Sequence, residues 1–172
     1  ITSYGDLTVS AMELTADKIT VTPASTVYTG EEISYEIKGV NTDHLTVTIE
    51  KNDEVVEQLL GAGEYVFTFV GDGTYYEGTA EVTVTIAKAQ LPEDVALSVG
   101  SADYTGSSLE DLLAVGGGYD VVFTVMRDVA QTELVNAGTY DLVITSSVSD
   151  PHYTGTVTTQ LVVIKSTYAT PP

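Results

Sequence analysis

The chain has 172 residues, a formal net charge of −19, and neither cysteine nor tryptophan. This charge opposes binding to phosphate backbones and to anionic lipid surfaces, so we expect neither nucleic-acid binding nor membrane insertion. The absence of cysteine excludes disulfides and thiolate metal sites.

Alternating apolar residues predict β-strands through the first half of the chain. The alternation covers residues 18–22, 33–37, 45–49, 65–69 and 82–86. Segments rich in Gly, Asn and Asp separate these runs and predict turns. Short alternating strands with regular turns are typical of an antiparallel β-sandwich.

The second half has a similar pattern. Strands are expected at residues 95–99, 119–126, 139–146 and 157–165. The segment 108–115 allows two interpretations. It aligns with the strand at 33–37, but Ser108 could also cap a helical turn. We favour a strand that contains one helical turn.

Three motifs occur twice in the same order, 75 to 77 residues apart. They are Tyr-Thr-Gly at 28–30 and 104–106, Ala-Gly-x-Tyr at 62–65 and 137–140, and Tyr-x-Gly-Thr at 76–79 and 153–156. A repeat of this length indicates a duplicated domain. We therefore predict one repeat at 19–89 and a second at 90–166, arranged end to end.

The two ends of the chain are interpreted separately. Residues 1–18 are either an N-terminal strand extension of the first repeat or the end of a preceding repeat, and both alternatives stay open. Residues 167–172 are expected to be an extended linker. We expect the chain to be a monomeric fragment of a longer, multi-repeat protein.

The Ala-Gly-x-Tyr motif predicts a tyrosine corner, in which a hydroxyl group bonds to nearby backbone. Tyr65 and Tyr140 are the predicted corner residues. The preceding Gly63 and Gly138 would permit a tight turn and a close backbone approach.

These ordered motifs, each repeat closing in a Val/Ile-rich strand and a lysine, resemble the tandem immunoglobulin-like repeats of MBG/YDG type in large secreted bacterial surface proteins. The resemblance covers residues 19–166. It implies two immunoglobulin-like β-sandwich domains in an extracellular stalk or adhesin segment at the bacterial surface. It supplies no catalytic residues, so we expect no enzyme activity.

Calcium is the metal that the sequence favours. Asp17, Asp43, Asp94 and Asp103 lie near the expected ends or junctions of the repeats. Oxygen-rich junctions can bind calcium, although no Asp-x-Asp-x-Asp loop is present. We expect no other cofactor.

The alternative function is binding of an extracellular glycan or of a host or matrix protein by the repeats themselves. Tyr75 and Tyr76 are adjacent, so on a strand they would face opposite sides. Because Tyr76 recurs as Tyr153, we predict that Tyr76 is structural and that Tyr75 is displayed as a ligand contact.

Overall fold

The computed structural model describes residues 8–165, which form two compact units that divide between Lys88 and Ala89. Three short 3-10 helices occur in these residues, at Ala16–Lys18, Thr42–His44 and Glu110–Leu112. All other regular structure in 8–165 is β-strand, so the chain is all-β, as predicted. The expectations for residues 1–7 and 167–172 lie outside the described residues.

The first unit contains two antiparallel sheets. Its strands are β1 (Met12–Glu13), β2 (Thr20–Pro23), β3 (Tyr35–Lys38), β4 (Leu45–Lys51), β5 (Glu54–Val56), β6 (Gly63–Gly71), β7 (Tyr76–Glu77) and β8 (Thr79–Ile86). One sheet has the order β5-β4-β6-β8, and the other pairs β2 with β3. In addition, β1 lies parallel to β7.

The core of the first unit lies between its two sheets. Tyr65, Phe67 and Phe69 alternate along β6 and are fully buried. From the other sheet, the ring of Tyr35 meets Phe67 edge-on, with 5.0 Å between ring centres. Burial of each large side chain contributes roughly 1.5–3 kcal/mol, so the alternation along β6 fixes the face that the strand turns inward.

The second unit is built on one larger sheet. Its strands are β9 (Ala89–Gln90), β10 (Ser101–Asp103), β11 (Val121–Arg127), β12 (Ala130–Gln131), β13 (Gly138–Ser146), β14 (Tyr153–Thr154) and β15 (Thr156–Ile164). The sheet has the order β10-β15-β13-β11-β12, and β14 pairs with β9. Leu134, Leu142 and Leu161 are fully buried in the core of this unit.

The strand predicted at 95–99 does not form, and in 108–115 the expected helical turn forms, as the 3-10 helix Glu110–Leu112, without the strand. Residues 95–99 and 108–115 contribute a single bridge, between Leu97 and Val115. The side-chain oxygen of Ser108 instead accepts a 3.4 Å hydrogen bond from the Glu110 amide at the start of the 3-10 helix. This local side-chain hydrogen bond competes with strand pairing, and three glycines follow directly at 116–118.

The first unit begins earlier than the sequence boundary at residue 19. The amides of Met12 and Leu14 donate to the carbonyls of Tyr75 and Glu77, both at 2.9 Å, and Leu14 is buried in the core. Residues 12–18 therefore belong to this unit, in the manner of a first-strand extension. The same pairing in the second unit involves β9 and β14.

Two hairpins end in two-residue turns with a left-handed backbone. Asn52 and Asp53 connect β4 to β5 with φ of 53° and 63°. Asp128 and Val129 connect β11 to β12 with φ of 50° and 63°. Such φ values suit Asn and Asp but are costly for a β-branched residue, so Val129 is strained.

Candidate functional site

A buried tyrosine stabilises the turn before a central strand in each unit. The Tyr65 hydroxyl donates to the Gly61 carbonyl at 2.9 Å, and the Tyr140 hydroxyl donates to the Asn136 carbonyl at 2.7 Å. A tyrosine corner is recognised by this bond to upstream backbone. Both rings are almost fully buried, so neither offers a face to a ligand.

A basic side chain covers each of these tyrosines, although no sequence motif predicted this contact. Nζ of Lys51 lies 4.9 Å from the Tyr65 ring centre and donates to its hydroxyl at 3.2 Å. Cζ of Arg127 lies 5.4 Å from the Tyr140 ring centre. A cation over an aromatic face is attracted by the ring. The chain has only six Lys and Arg residues, and one of them stands directly before each two-residue hairpin turn, at 51 and at 127. This recurrence was an available signal in the sequence.

Glycine leaves room for each basic side chain. A Cβ atom on Gly63 would lie 2.9 Å from Cε of Lys51, and one on Gly138 would lie 2.9 Å from Nη2 of Arg127. The Ala-Gly-x-Tyr motif predicts that backbone approaches these glycines closely. In the structure a side chain approaches instead, and the φ values of 142° and 148° also favour glycine.

Tyr75, directly before β7, carries an exposed aromatic ring. The side chain is 58% exposed, and its ring stacks on His44 with 3.6 Å between ring centres. Nδ1 of His44 lies 3.1 Å from Oδ2 of Asp72. Amide hydrogen bonds from Tyr75 and then Thr74 hold the pKa of Asp72 below its usual range. This cluster therefore fixes one face of the Tyr75 ring and leaves the other to solvent.

Adjacent Tyr76 has a different environment. Its ring packs against the core of the first unit, and its hydroxyl oxygen accepts a 3.1 Å hydrogen bond from the Asn41 amide. Tyr153, its counterpart, meets Tyr119 edge-on at 4.8 Å. Tyr75 is therefore exposed and Tyr76 is half-buried, and the role of Tyr75 as a ligand contact stays a prediction.

The four candidate calcium ligands lie on separate elements. Asp17 and Asp43 lie in different 3-10 helices, Asp94 lies in a turn, and Asp103 ends β10. Within residues 8–165, no three His, Asp or Glu side chains come together in a way that could hold a metal ion. The structure therefore does not assemble these aspartates into a common site.

Each unit also has a shallow surface groove beside its first hairpin. In the first unit the groove measures about 340 Å³ and is lined by Tyr35, Val47, Thr48, Ile49, Val55, Val56 and Glu57. In the second unit it measures about 280 Å³ and is lined by Glu110, Leu113, Phe123, Val125, Gln131 and Thr132. Each of these two linings includes one carboxylate. A third groove, on the first unit, measures about 200 Å³ and is lined by Glu50, Asn52, Asp53, Glu64 and Val66.

Comparison with known proteins finds no matching family model and no curated protein with significant similarity. Among residues 8–165, no helix has the length and apolar character needed to cross a membrane.

Proposed function

We infer that the chain is a non-catalytic stalk or spacer segment of a bacterial cell-surface protein, built from two immunoglobulin-like repeats of MBG/YDG type. The observation that carries this proposal is that one hydrogen-bonded frame is built twice, whereas the exposed side chains on it differ. A spacer requires the frame and places few demands on the surface.

The repeated frame includes contacts between distant parts of each unit. The Tyr28 amide donates to the Ala87 carbonyl at 2.9 Å, and the Tyr104 amide donates to the Ile164 carbonyl at 2.8 Å. A second pair supports the same equivalence. The Ile33 amide donates to Leu59 at 3.0 Å, as the Leu109 amide donates to Leu134 at 2.9 Å.

The exposed residues on this frame are not repeated in the same way. In the first unit Tyr75 precedes Tyr76, whereas in the second unit the equivalent position, before Tyr153, is His152. His44, just before β4, is replaced by Asp120 before β11. The ring contact described next to Asp120 in the second unit joins other positions, Tyr119 and Tyr153, so the surface of the first unit is not reproduced in the second.

Acidic charge spread over both repeats supports a monomeric segment. The net charge of −19 favours solubility and opposes close association of identical chains. We accordingly propose a monomeric segment without intrinsic enzyme activity.

A second candidate function is binding of a glycan through Tyr75, which the exposed and pre-stacked ring favours. Because His44 and Asp72 hold the ring in place, a sugar could stack on its free face with little loss of side-chain entropy. In this alternative the first unit would contact the ligand.

The test is binding of the chain to an array of glycans and matrix proteins at physiological salt, with and without calcium. A blank array from a chain shown by its melt to be folded is the result expected of a spacer. A saturable signal lost in Tyr75→Ala, and retained in Tyr104→Ala, would replace the spacer proposal with the binding one. Tyr104 is a matched control because its ring is also exposed.

The same samples test the calcium hypothesis. Calcium that binds the folded chain through Asp17, Asp43, Asp94 or Asp103 would raise the melting temperature by mass action. A melting temperature that is equal in calcium and in chelator would dismiss these residues as ligands.

A further inference from the structure

The strand β3 has an open edge on the side away from β2. Next to the β2–β3 pair, the Ala24 amide donates to the Ser34 carbonyl at 2.7 Å. Alternate residues of an antiparallel pair bond to the partner strand, so Ser34 bonds toward β2 whereas Tyr35 and Ile37 face away from it. Within residues 8–165, β3 pairs with no strand other than β2. The backbone amides and carbonyls of Tyr35 and Ile37 therefore form an open sheet edge, which we call the β3 edge.

A further segment begins to pair along this edge and then leaves it. The Ile33 amide donates to the Leu59 carbonyl at 3.0 Å, and these two residues form a single antiparallel bridge. Continued in the same register, the pairing would bring Val55 opposite Ile37. Val55 lies instead in β5, where it pairs with the other sheet. Because the chain changes sheets here, the β3 edge is left available for a strand from another chain.

The apolar groove of about 340 Å³ lies at this change of sheets, since Tyr35 of β3 and Val55 of β5 both line it. The Val55 side chain is 69% exposed. The side chains of Tyr35 and Ile37 both point toward the core, where Tyr35 meets Phe67 and Ile37 packs against the buried cluster. Side chains alternate between the two faces of a strand, so every second side chain of an added strand would lie over the groove. Apolar residues at those positions would cover Val55.

The surface around the groove is acidic. The segments 31–38 and 54–57, which flank it, contain five carboxylates and one basic residue, Lys38. All five carboxylates belong to exposed residues, and Lys38 is already paired with Glu36 at 2.9 Å. Side chains of an added strand that point away from the groove would meet these carboxylates, which favours basic residues there. A second copy of the chain would bring a net charge of −19 instead.

In the second unit the equivalent amide is already bonded. Leu113 is the counterpart of Ile37, because each lies four residues after the amide, of Leu109 or Ile33, that bonds to a later segment. The Leu113 amide donates to the Glu110 carbonyl at 3.0 Å. Glu110 and Leu113 both line the groove of this unit. The second unit thus has a similar groove beside a 3-10 turn, and it serves as an internal control.

We propose that the β3 edge and its groove bind an extended basic segment of another protein, which adds to β3 as an antiparallel strand. In this segment apolar residues alternate with lysine or arginine, so that apolar side chains cover the groove and basic ones meet the carboxylates. Directly opposed residues of an antiparallel pair point their side chains to the same face. The amides of the apolar residues therefore bond to Tyr35 and Ile37. This interaction goes beyond the spacer function, which requires no bound partner.

The probe is a short synthetic peptide that alternates valine with lysine and is blocked at both ends. Calorimetry with the full chain should show saturable binding at a single site, which weakens as salt is raised. Val55→Lys should reduce the affinity by about tenfold or more, because the new cation repels the peptide at the groove. Val122→Lys is the matched control, since it makes the same change at an exposed valine of the second unit.

N-methylated peptides separate strand pairing from simple charge attraction. Methyl groups on the valine amides remove the donors that face the β3 edge and should reduce the affinity by about tenfold or more. Methyl groups on the lysine amides, which face away from the edge, should have a much smaller effect. The two peptides have the same charge and composition, so equal losses of affinity would overturn the proposal.

Hydrogen exchange followed by NMR locates the bound peptide. The amides of Tyr35 and Ile37 should exchange more slowly in the complex, whereas the amide of Leu113 should be unchanged. Tyr75→Ala should bind the peptide as the parent does, which keeps this test independent of the glycan array. Absence of peptide binding would overturn the proposal. A dimer of the chain in sedimentation that Val55→Lys abolishes would also overturn it, by assigning the edge to a second copy.

Discussion

Lys51 and Arg127 occupy equivalent positions in the two units, each as the last residue of a strand and each over the ring of a corner tyrosine. Nζ of Lys51 also donates to the Leu60 carbonyl at 3.2 Å, just before the turn that Tyr65 closes. The corner is therefore closed by a cation as well as by the tyrosine hydroxyl.

Replacing Lys51 by methionine should destabilise the first unit by about 1–2 kcal/mol, because two hydrogen bonds and the contact with the ring are lost. Urea denaturation, followed through amide NMR signals of that unit, measures the change. Lys38→Met is the matched control. Lys38 pairs with Glu36 on an exposed surface, where such pairs contribute little. Equal losses in the two variants would contradict a role for Lys51 in the corner.

Gly63→Ala should cost about 2 kcal/mol or more. The new Cβ must displace the Lys51 side chain, and the backbone at φ of 142° is strained for alanine. Gly73→Ala is the control, because Gly73 also has a positive φ, of 77°, but has open space around it. Thermal unfolding of both variants gives the comparison.

A double-mutant cycle isolates the contribution of the contact. In a Lys51→Ala background, Gly63→Ala should cost less, since the obstructing side chain is gone. An unchanged cost would mean that backbone strain alone excludes alanine from this position.

Val129→Asn should stabilise the second unit by about 1 kcal/mol, because asparagine tolerates the left-handed backbone that valine resists. The side chain of Val129 is 95% exposed, so its removal loses little packing. Val148→Asn is the control, at a fully exposed valine that does not have a positive φ. A gain in melting temperature of the same size at both positions would assign the effect to the polar side chain in solvent and not to the left-handed backbone.

Asp150 should make the second unit sensitive to acid. Burial opposes its ionisation, but hydrogen bonds from the amides of His152, Tyr153 and Asp120 outweigh burial and lower its pKa. The unfolded chain then binds the proton first, near its ordinary pKa of about 4. The contribution of Asp150 to the free energy of unfolding is therefore complete above that pH. It is lost as the pH falls toward the lower pKa of the folded state.

Asp150→Asn should lower the free energy of unfolding by about 1–2 kcal/mol at pH 7, because the new amide group faces the Asp120 N–H. Between pH 5 and pH 3 the variant should lose less stability than the parent. Urea denaturation at several pH values measures both effects. Asp111→Asn, at an exposed aspartate, should keep the pH dependence of the parent. A parallel decline of parent and Asp150→Asn with acid would assign the sensitivity to other carboxyl groups.

Long strands were predictable because they alternate over enough residues to reveal a buried face. The fully buried Tyr65, Phe67 and Phe69 identify β6 in this way. By contrast, β12 and β14 have two residues each, which is too short for a period. Their position depends on pairing with β11 and β9, and the sequence alone does not reveal those partners.

The candidate sites also differ in how far apart in sequence their contacting residues lie. The corner bond of Tyr65 joins residues four apart, so a local motif sufficed to place it. The stacking of Tyr75 on His44 and the position of Lys51 over Tyr65 join residues that are distant in sequence. Such contacts follow from strand register, which is fixed only when the whole sheet has formed.

The equivalent pairing of β1 with β7 and of β9 with β14 has a genetic consequence. Leu14 and Leu91 follow their strands in the same way, each buried and each donating to the segment it pairs with. A crossover between gene copies at these two codons would put β1 in the place of β9 and retain β10 to β15 of the second unit. Recombination can thus change the number of units without interrupting a sheet.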